Sequence, residues 1–119
     1  MKKRSKLTLE PRLRLTGARR FAFGPGQAAL LEGIDQTGSI TEAAKAMGMS
    51  YMRAWLLVKN MNRGFMAPLV ETVRGGRQRG GAQLSAIGGQ VLRLYREMEA
   101  RSRRATRPGG QKLARMLRA

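Results

Sequence analysis

The side chains able to do chemistry in this sequence are arginines and lysines, 24 of them against 7 aspartates and glutamates, with no histidine and no cysteine. Losing imidazole and thiol removes the commonest general base, thiolate and imidazole metal sites, and disulfides. No constellation of nucleophile, base and orienting group is visible either, so neither an enzyme, nor a cofactor, nor a metal site is expected. What is left is cation chemistry. A net charge of +17 creates a surface potential that attracts polyanions, nucleic acid ahead of an anionic membrane.

Two stretches concentrate this chemistry. In Arg74 to Gly81, RGGRQRGG, three arginines stand among four glycines. No lysine followed by serine or threonine comes after the glycines, which excludes a phosphate loop. Leu69 to Val73 has strand composition and Ala82-Gln83-Leu84 can pair with it, so the run reads as a hairpin tip. Such a wing carries Arg74, Arg77 and Arg79 to a phosphate backbone or a minor groove. Two rival readings stand: a short RGG-type segment binding RNA without sequence preference, and a mobile surface loop. The second stretch, Ile40 to Lys59, is ITEAAKAMGMSYMRAWLLVK. At helix-turn-helix spacing with Gly48 at the turn, its inward positions are Ala43, Ala44, Met47, Met49, Ala54 and Leu57, all apolar. Ala44 is small enough for a close helix crossing, and Gly48 tolerates positive φ. The rival here is a pair of bundle helices with an alanine-rich contact.

The elements that must position these groups follow from punctuation and periodicity. Leu7 to Thr16 alternates apolar and polar residues around Pro11, which predicts a short edge strand; Phe21-Ala22-Phe23 either continues a ribbon or packs beneath it. Gly24-Pro25-Gly26-Gln27-Ala28-Ala29 imitates a dinucleotide fingerprint, but no parallel strand follows to close the unit, so it predicts only a helix start. That helix runs to about Gln36, buries Ala29, Leu30, Leu31 and Ile34, and ends at Gly38. Ser39 or Thr41 caps the next helix, with Thr41 leaving the helix start free for a phosphate. Ser50 caps the third, Tyr51 to about Phe65, and Pro68 prevents its continuation. Ser85 caps a last helix to about Arg104, whose stripe is Ile87, Val91, Leu94, Tyr95 and Met98.

Charge divides the chain. Residues 1–20 hold eight basic groups and one acidic, and residues 101–119 hold seven basic and none acidic, while Phe21 to Ser50 holds one lysine against three acids. The expected organisation is a disordered basic tail over residues 1–6, one domain over 7–104, and a basic tail over 105–119 beyond a break at Pro108-Gly109-Gly110. With no apolar run of membrane-spanning length and no signal-peptide segment, the chain is expected in the cytoplasm.

The run GSITEAAKAMGMSYMRAWLLVKNMN, followed by PLVETVRGGRQRGGAQLSAIGGQVLRLY, resembles the N-terminal winged helix-turn-helix domain of the molybdate-responsive ModE regulators, and more distantly LysR-type regulators. The resemblance covers about Gly24 to Glu99. It implies a mainly α winged helix with a short N-terminal strand, a hairpin wing and a long C-terminal helix, acting as a DNA-binding dimer. The family's molybdate-binding part has no counterpart in these 119 residues, so no cofactor is expected. Where the family commonly has lysine after Ser-Tyr this chain has Met52 and then Arg53, so base preference need not carry over; the arginines of the wing shift weight toward phosphate.

The expectation is a sequence-specific binder of double-stranded DNA that regulates transcription. Ser50, Tyr51 and Met52 approach base edges, Lys59 meets phosphate, and Arg53 serves either role. Trp55 either packs under its helix or touches DNA. Thr41 and the wing arginines complete the contacts. Ile87, Val91, Leu94, Tyr95 and Met98 form the homodimer contact, and effector sensing falls to a separate partner. The alternative is a nonspecific RNA-binding or nucleoid-associated basic protein.

Overall fold

Serine hydroxyls open three of the four helices. The computed structural model describes residues 8–73 and 81–118, arranged as β1 (Leu15–Thr16), β2 (Ala22–Phe23), α1 (Pro25–Thr37), α2 (Ile40–Ala46), α3 (Tyr51–Gly64), β3 (Val70–Thr72), β4 (Ala82–Leu84) and α4 (Ala86–Met116). Ser39 Oγ accepts from the Glu42 amide at 3.1 Å, Ser50 Oγ from Arg53 at 3.1 Å, and Ser85 Oγ from Gly88 at 3.0 Å. Each bond satisfies an orphan amide of the first helical turn. At α1 the cap is reversed: the Gly24 amide donates to Gln27 Oε1 at 3.0 Å, and the glycines and Pro25 start a helix as expected.

α1 ends at Gly38, whose φ of 71° and amide bond to the Ile34 carbonyl (2.7 Å) make a left-handed cap. Gly48, at φ 68°, turns α2 into α3. The buried residues of α1 are Ala28, Leu30, Leu31 and Ile34. Ala28 takes the place expected for Ala29, because it stands three residues before Leu31 and shares its side of the helix. Ala43, Ala44 and Ala54 are buried, and Met47, Met49 and Leu57 pack against the same core. All six inward positions of the helix-turn-helix therefore point where their spacing predicts.

The two hairpins are antiparallel, pairing Leu15 with Phe23 and Thr16 with Ala22 in one, and Val70 with Leu84, Glu71 with Gln83 and Thr72 with Ala82 in the other. Asn62 on α3 holds β3 in place. Its Oδ1 accepts from the Leu69 and Val70 amides at 2.8 and 3.1 Å, and its Nδ2 donates to the Val70 carbonyl at 3.1 Å. The Ala82 amide donates to the Gly38 carbonyl at 3.0 Å, fixing the base of β4 to the start of α2.

Two expectations for the ends of the chain are corrected. Among the described residues of the anticipated edge strand, only Leu15–Thr16 pair. Upstream, the chain lies along α4 instead: Tyr95 Oη donates to the Leu13 carbonyl at 2.6 Å, and Leu9 sits over Gly110. Nor does α4 break at Pro108; it is continuous for 31 residues to Met116. Proline removes one amide and crowds the carbonyl four residues back, at a cost of about 3 kcal/mol. A helix already nucleated upstream extends without a second nucleation cost, and the contact of Leu9 with Gly110 adds support beyond the proline.

Candidate nucleic-acid interface

The sequence of α3 gives it one buried apolar side and one exposed side that mixes cations with apolar groups. Ala54, Val58 and Met61 are buried, and at 3.6 residues per turn the opposite ridge consists of Met52, Leu56 and Arg63, flanked by Lys59 and Asn60. Met52 is 61% exposed and Leu56 50%. Tyr51 and Arg53, also exposed, stand at the helix start beside Ser50, whose hydroxyl is engaged as the cap. α3 carries no carboxylate in its 14 residues. An acid-free helix face of this kind, uncovered by the other described residues, presents hydrogen-bond donors and apolar groups together, which is what base edges and phosphates require.

Trp55 packs in part and leaves part of its ring at the surface. It is half-buried, and Lys59 Nζ lies 4.4 Å from its ring centroid in a cation–π contact. Lys59 is thereby drawn along the helix surface beside the ridge. Thr41 is half-buried at the second position of α2; Ser39 makes the cap, because its extended backbone leaves the hydroxyl beneath the Glu42 amide. Arg74, Arg77 and Arg79 lie outside the described residues, as does the rest of the wing tip. The strands that would carry it, β3 and β4, pair as expected.

The stripe on α4 is divided. Tyr95 is 2% exposed and belongs to the core, its ring edge-on to Phe23 at 5.3 Å between centroids; Ile87 and Val91 pack against that core. Leu94 and Met98 face outward. Helical spacing alone does not separate these two sides, because a neighbour on each side of the stripe gives the same period. Arg96 on α4 pairs with Glu99 at 2.9 Å and with Glu32 of α1 at 3.2 Å, so this cation is committed to holding the helices together.

Leu56, Asn60 and Arg63 were not among the expected contact residues, yet they share the exposed face of α3. The signal was present: they follow Met52 at four, eight and eleven residues, on the same side of α3. Arg19 and Arg20, counted only as part of a basic terminus, stand next to Arg63 and Asn60 around a concavity of about 790 Å³. Among the described residues no group of histidine, cysteine, aspartate or glutamate is placed to hold a metal ion, and no helix is long and apolar enough to cross a membrane.

No protein-family model matches the chain. Relatives do: the molybdenum transport protein ModE of Azotobacter vinelandii is 43% identical over 78 residues, covering 66% of this chain and 29% of that protein. The molybdenum-pterin-binding protein MopB of Rhodobacter capsulatus is 42% identical over 88 residues, 74% of this chain and 32% of its own length. The DNA-binding transcriptional dual regulator ModE of Escherichia coli K12 is 39% identical over 71 residues, 60% of this chain and 27% of its own. The chain thus spans about a third or less of the curated relatives it matches. Among solved structures, the DNA-binding domain in the CbnR–DNA complex, of LysR type, superposes with a TM-score of 0.56 at 21% identity, covering 77% of this chain and 97% of that one. With α3 following a glycine turn and β3–β4 beside it, that likeness establishes a mainly α winged helix-turn-helix fold, and the sequence relatives make this chain a homologue of the ModE regulators.

Proposed function

We propose that this chain is a sequence-specific double-stranded DNA-binding regulator of transcription of the ModE type, with α3 entering the major groove N-terminus first. The observation that carries this reading is the acid-free outward face of α3, left uncovered by the other described residues. Ser50, Tyr51 and Met52 approach base edges; Arg53 reaches a base or a phosphate; Lys59 and Trp55 border the groove. Met52 and Leu56 add an apolar surface suited to thymine methyl groups. Thr41, near the start of α2, meets a phosphate, and Arg74, Arg77 and Arg79 act from the wing. The chain works as a regulator without catalysis, in the cytoplasm, with effector sensing supplied by a partner.

A single recognition helix making one or two base contacts, each worth about 1–3 kcal/mol, cannot pick a site from a genome. A homodimer doubles that discrimination. Leu94 and Met98 are its contact residues; Ile87, Val91 and Tyr95, occupied within the chain, act by shaping the helix that presents them. Leu94→Glu with Met98→Glu should move the mass seen by light scattering from twice the chain to one chain, with helicity kept; an unchanged mass rejects this interface.

Selection of bound duplexes from a random pool at two salt concentrations tests the whole reading. The expected product is an inverted repeat with half-sites about one helical turn apart. An unenriched pool, with RNA bound equally well, would support instead the nonspecific RNA-binding or nucleoid-associated alternative, which the net charge of +17 favours.

A further inference from the structure

The β1–β2 hairpin ends in a turn whose backbone is unusual. The Phe21 amide donates to the Ala18 carbonyl at 3.2 Å and the Gly17 amide to the Phe21 carbonyl at 3.0 Å. The two central residues, Arg19 at φ 58° and Arg20 at φ 61°, are both left-handed. Hairpin turns of this form favour asparagine and glycine, and long side chains are strained in them. Strain that persists where it is easily avoided points to a use for the side chains. Both arginines are exposed at the tip.

The tip is held in a fixed relation to α3. Phe21 seats on Gly64 so closely that any Cβ there would overlap its ring, and it meets Phe65 edge-on at 5.3 Å. Between the turn and α3 lies the concavity of about 790 Å³, with Arg19, Arg20, Arg63, Asn60 and Gln27 on its walls and no carboxylate. Among the described residues no acid pairs with any of the three arginines. The placement around α3 adds direction. Asn62 faces β3, whereas Asn60 and Gly64, two residues to either side and so roughly 200° around the helix, face the hairpin. The two hairpins thus stand on opposite flanks of the outward ridge.

We propose that Arg19, Arg20 and Arg63 form a second phosphate-binding arm, which grips the DNA backbone on the side of α3 opposite β3–β4. The assignment rests on the duplex-binding reading above. With α3 in the major groove, cations on this flank meet the strand that borders it, and guanidinium forks suit phosphodiester oxygens.

The test separates charge from turn. Arg19→Asn with Arg20→Gly installs the pair this turn prefers while removing both cations; Arg19→Lys with Arg20→Lys keeps the charge. Each variant of the 119-residue chain is titrated with the selected duplex across salt, and its backbone protection is mapped by hydroxyl-radical cleavage. The Asn-Gly variant should resist urea at least as well as the parent, lower the log–log salt slope by about 1 to 2 units, and lose protection on one flank with base preference unchanged. The Lys-Lys variant should keep the slope. An Asn-Gly variant with unaltered slope and footprint overturns the arm while leaving the duplex reading intact. A parent chain that binds no duplex, or binds RNA alone, removes both together.

Discussion

At the scale of single residues, one substitution has opposite effects at two glycines. Gly88 lies in α4 against the Leu69 backbone, and an added Cβ would overlap the Leu69 carbonyl, which Ser85 also engages from its amide at 2.9 Å. Gly26, in the first turn of α1, has open space around the same position. Gly88→Ala should therefore destabilise by about 1–3 kcal/mol, as overpacking does, whereas Gly26→Ala should stabilise by about 0.4–1 kcal/mol by restricting the unfolded chain. Urea unfolding of the two variants reads both signs. Tyr95 makes a further prediction at this scale. Burial, followed by the nearby Glu99 carboxylate, raises its pKa above the ordinary 10.0. Above pH 10 an unfolded tyrosine ionises while the folded one holds its proton, so this group's contribution is complete below pH 10 and is lost as pH rises past it. Tyr95→Phe should flatten the alkaline fall in stability, measured against the parent at pH 9 and pH 11, even though it loses the bond to Leu13.

At the scale of elements, Asn62 shows how a short strand becomes fixed. β3 has three residues, too few to hold itself with one partner strand. The Asn62 amide imitates a further strand for Leu69 and Val70, connecting the wing's base to α3. Asn62→Ala should cost about 2–3 kcal/mol, since three hydrogen bonds go and their partners are left part-buried. Hydrogen exchange should quicken at Leu69 and Val70 far more than in α1; uniform quickening would mean that the asparagine supports the core and not the wing. The helices themselves were legible, because serine caps, glycine stops and apolar spacing are local. The asparagine was not, because its partners lie seven and eight residues away and no local pattern marks them.

At the scale of the whole molecule, shape and charge dominate. The radius of gyration is 17.6 Å and the longest extent 58 Å, against a radius of about 13–14 Å for a compact domain of this length. α4 accounts for the difference: 31 residues make a rod of about 46 Å, much of it beyond the core. The net charge of +17 opposes compaction, and dissolved ions screen that repulsion. Raising sodium chloride from low to physiological concentration should therefore raise the midpoint of thermal unfolding while weakening duplex binding steeply. A midpoint that falls with salt would show that ion pairs such as Arg96 with Glu32 outweigh the repulsion.

The sequence by itself determined the helix-turn-helix, the paired wing strands and the large excess of positive charge, because each depends on residue type and on neighbours within a turn or two. Six apolar positions, three serine caps and two left-handed glycines left little choice of local structure. Only the tertiary structure decided which apolar stripe was spent inside the chain. Tyr95 turns inward to Phe23 and Leu13 while Leu94, its neighbour, faces out, and periodicity is the same for both. Pro108 is passed over by a helix already nucleated upstream, and part of the support beyond it comes from Leu9, about a hundred residues earlier. And the tertiary structure alone brought Arg19 and Arg20 to Arg63: in sequence they are a basic terminus and a helix end, and only the seat of Phe21 on Gly64 makes them neighbours.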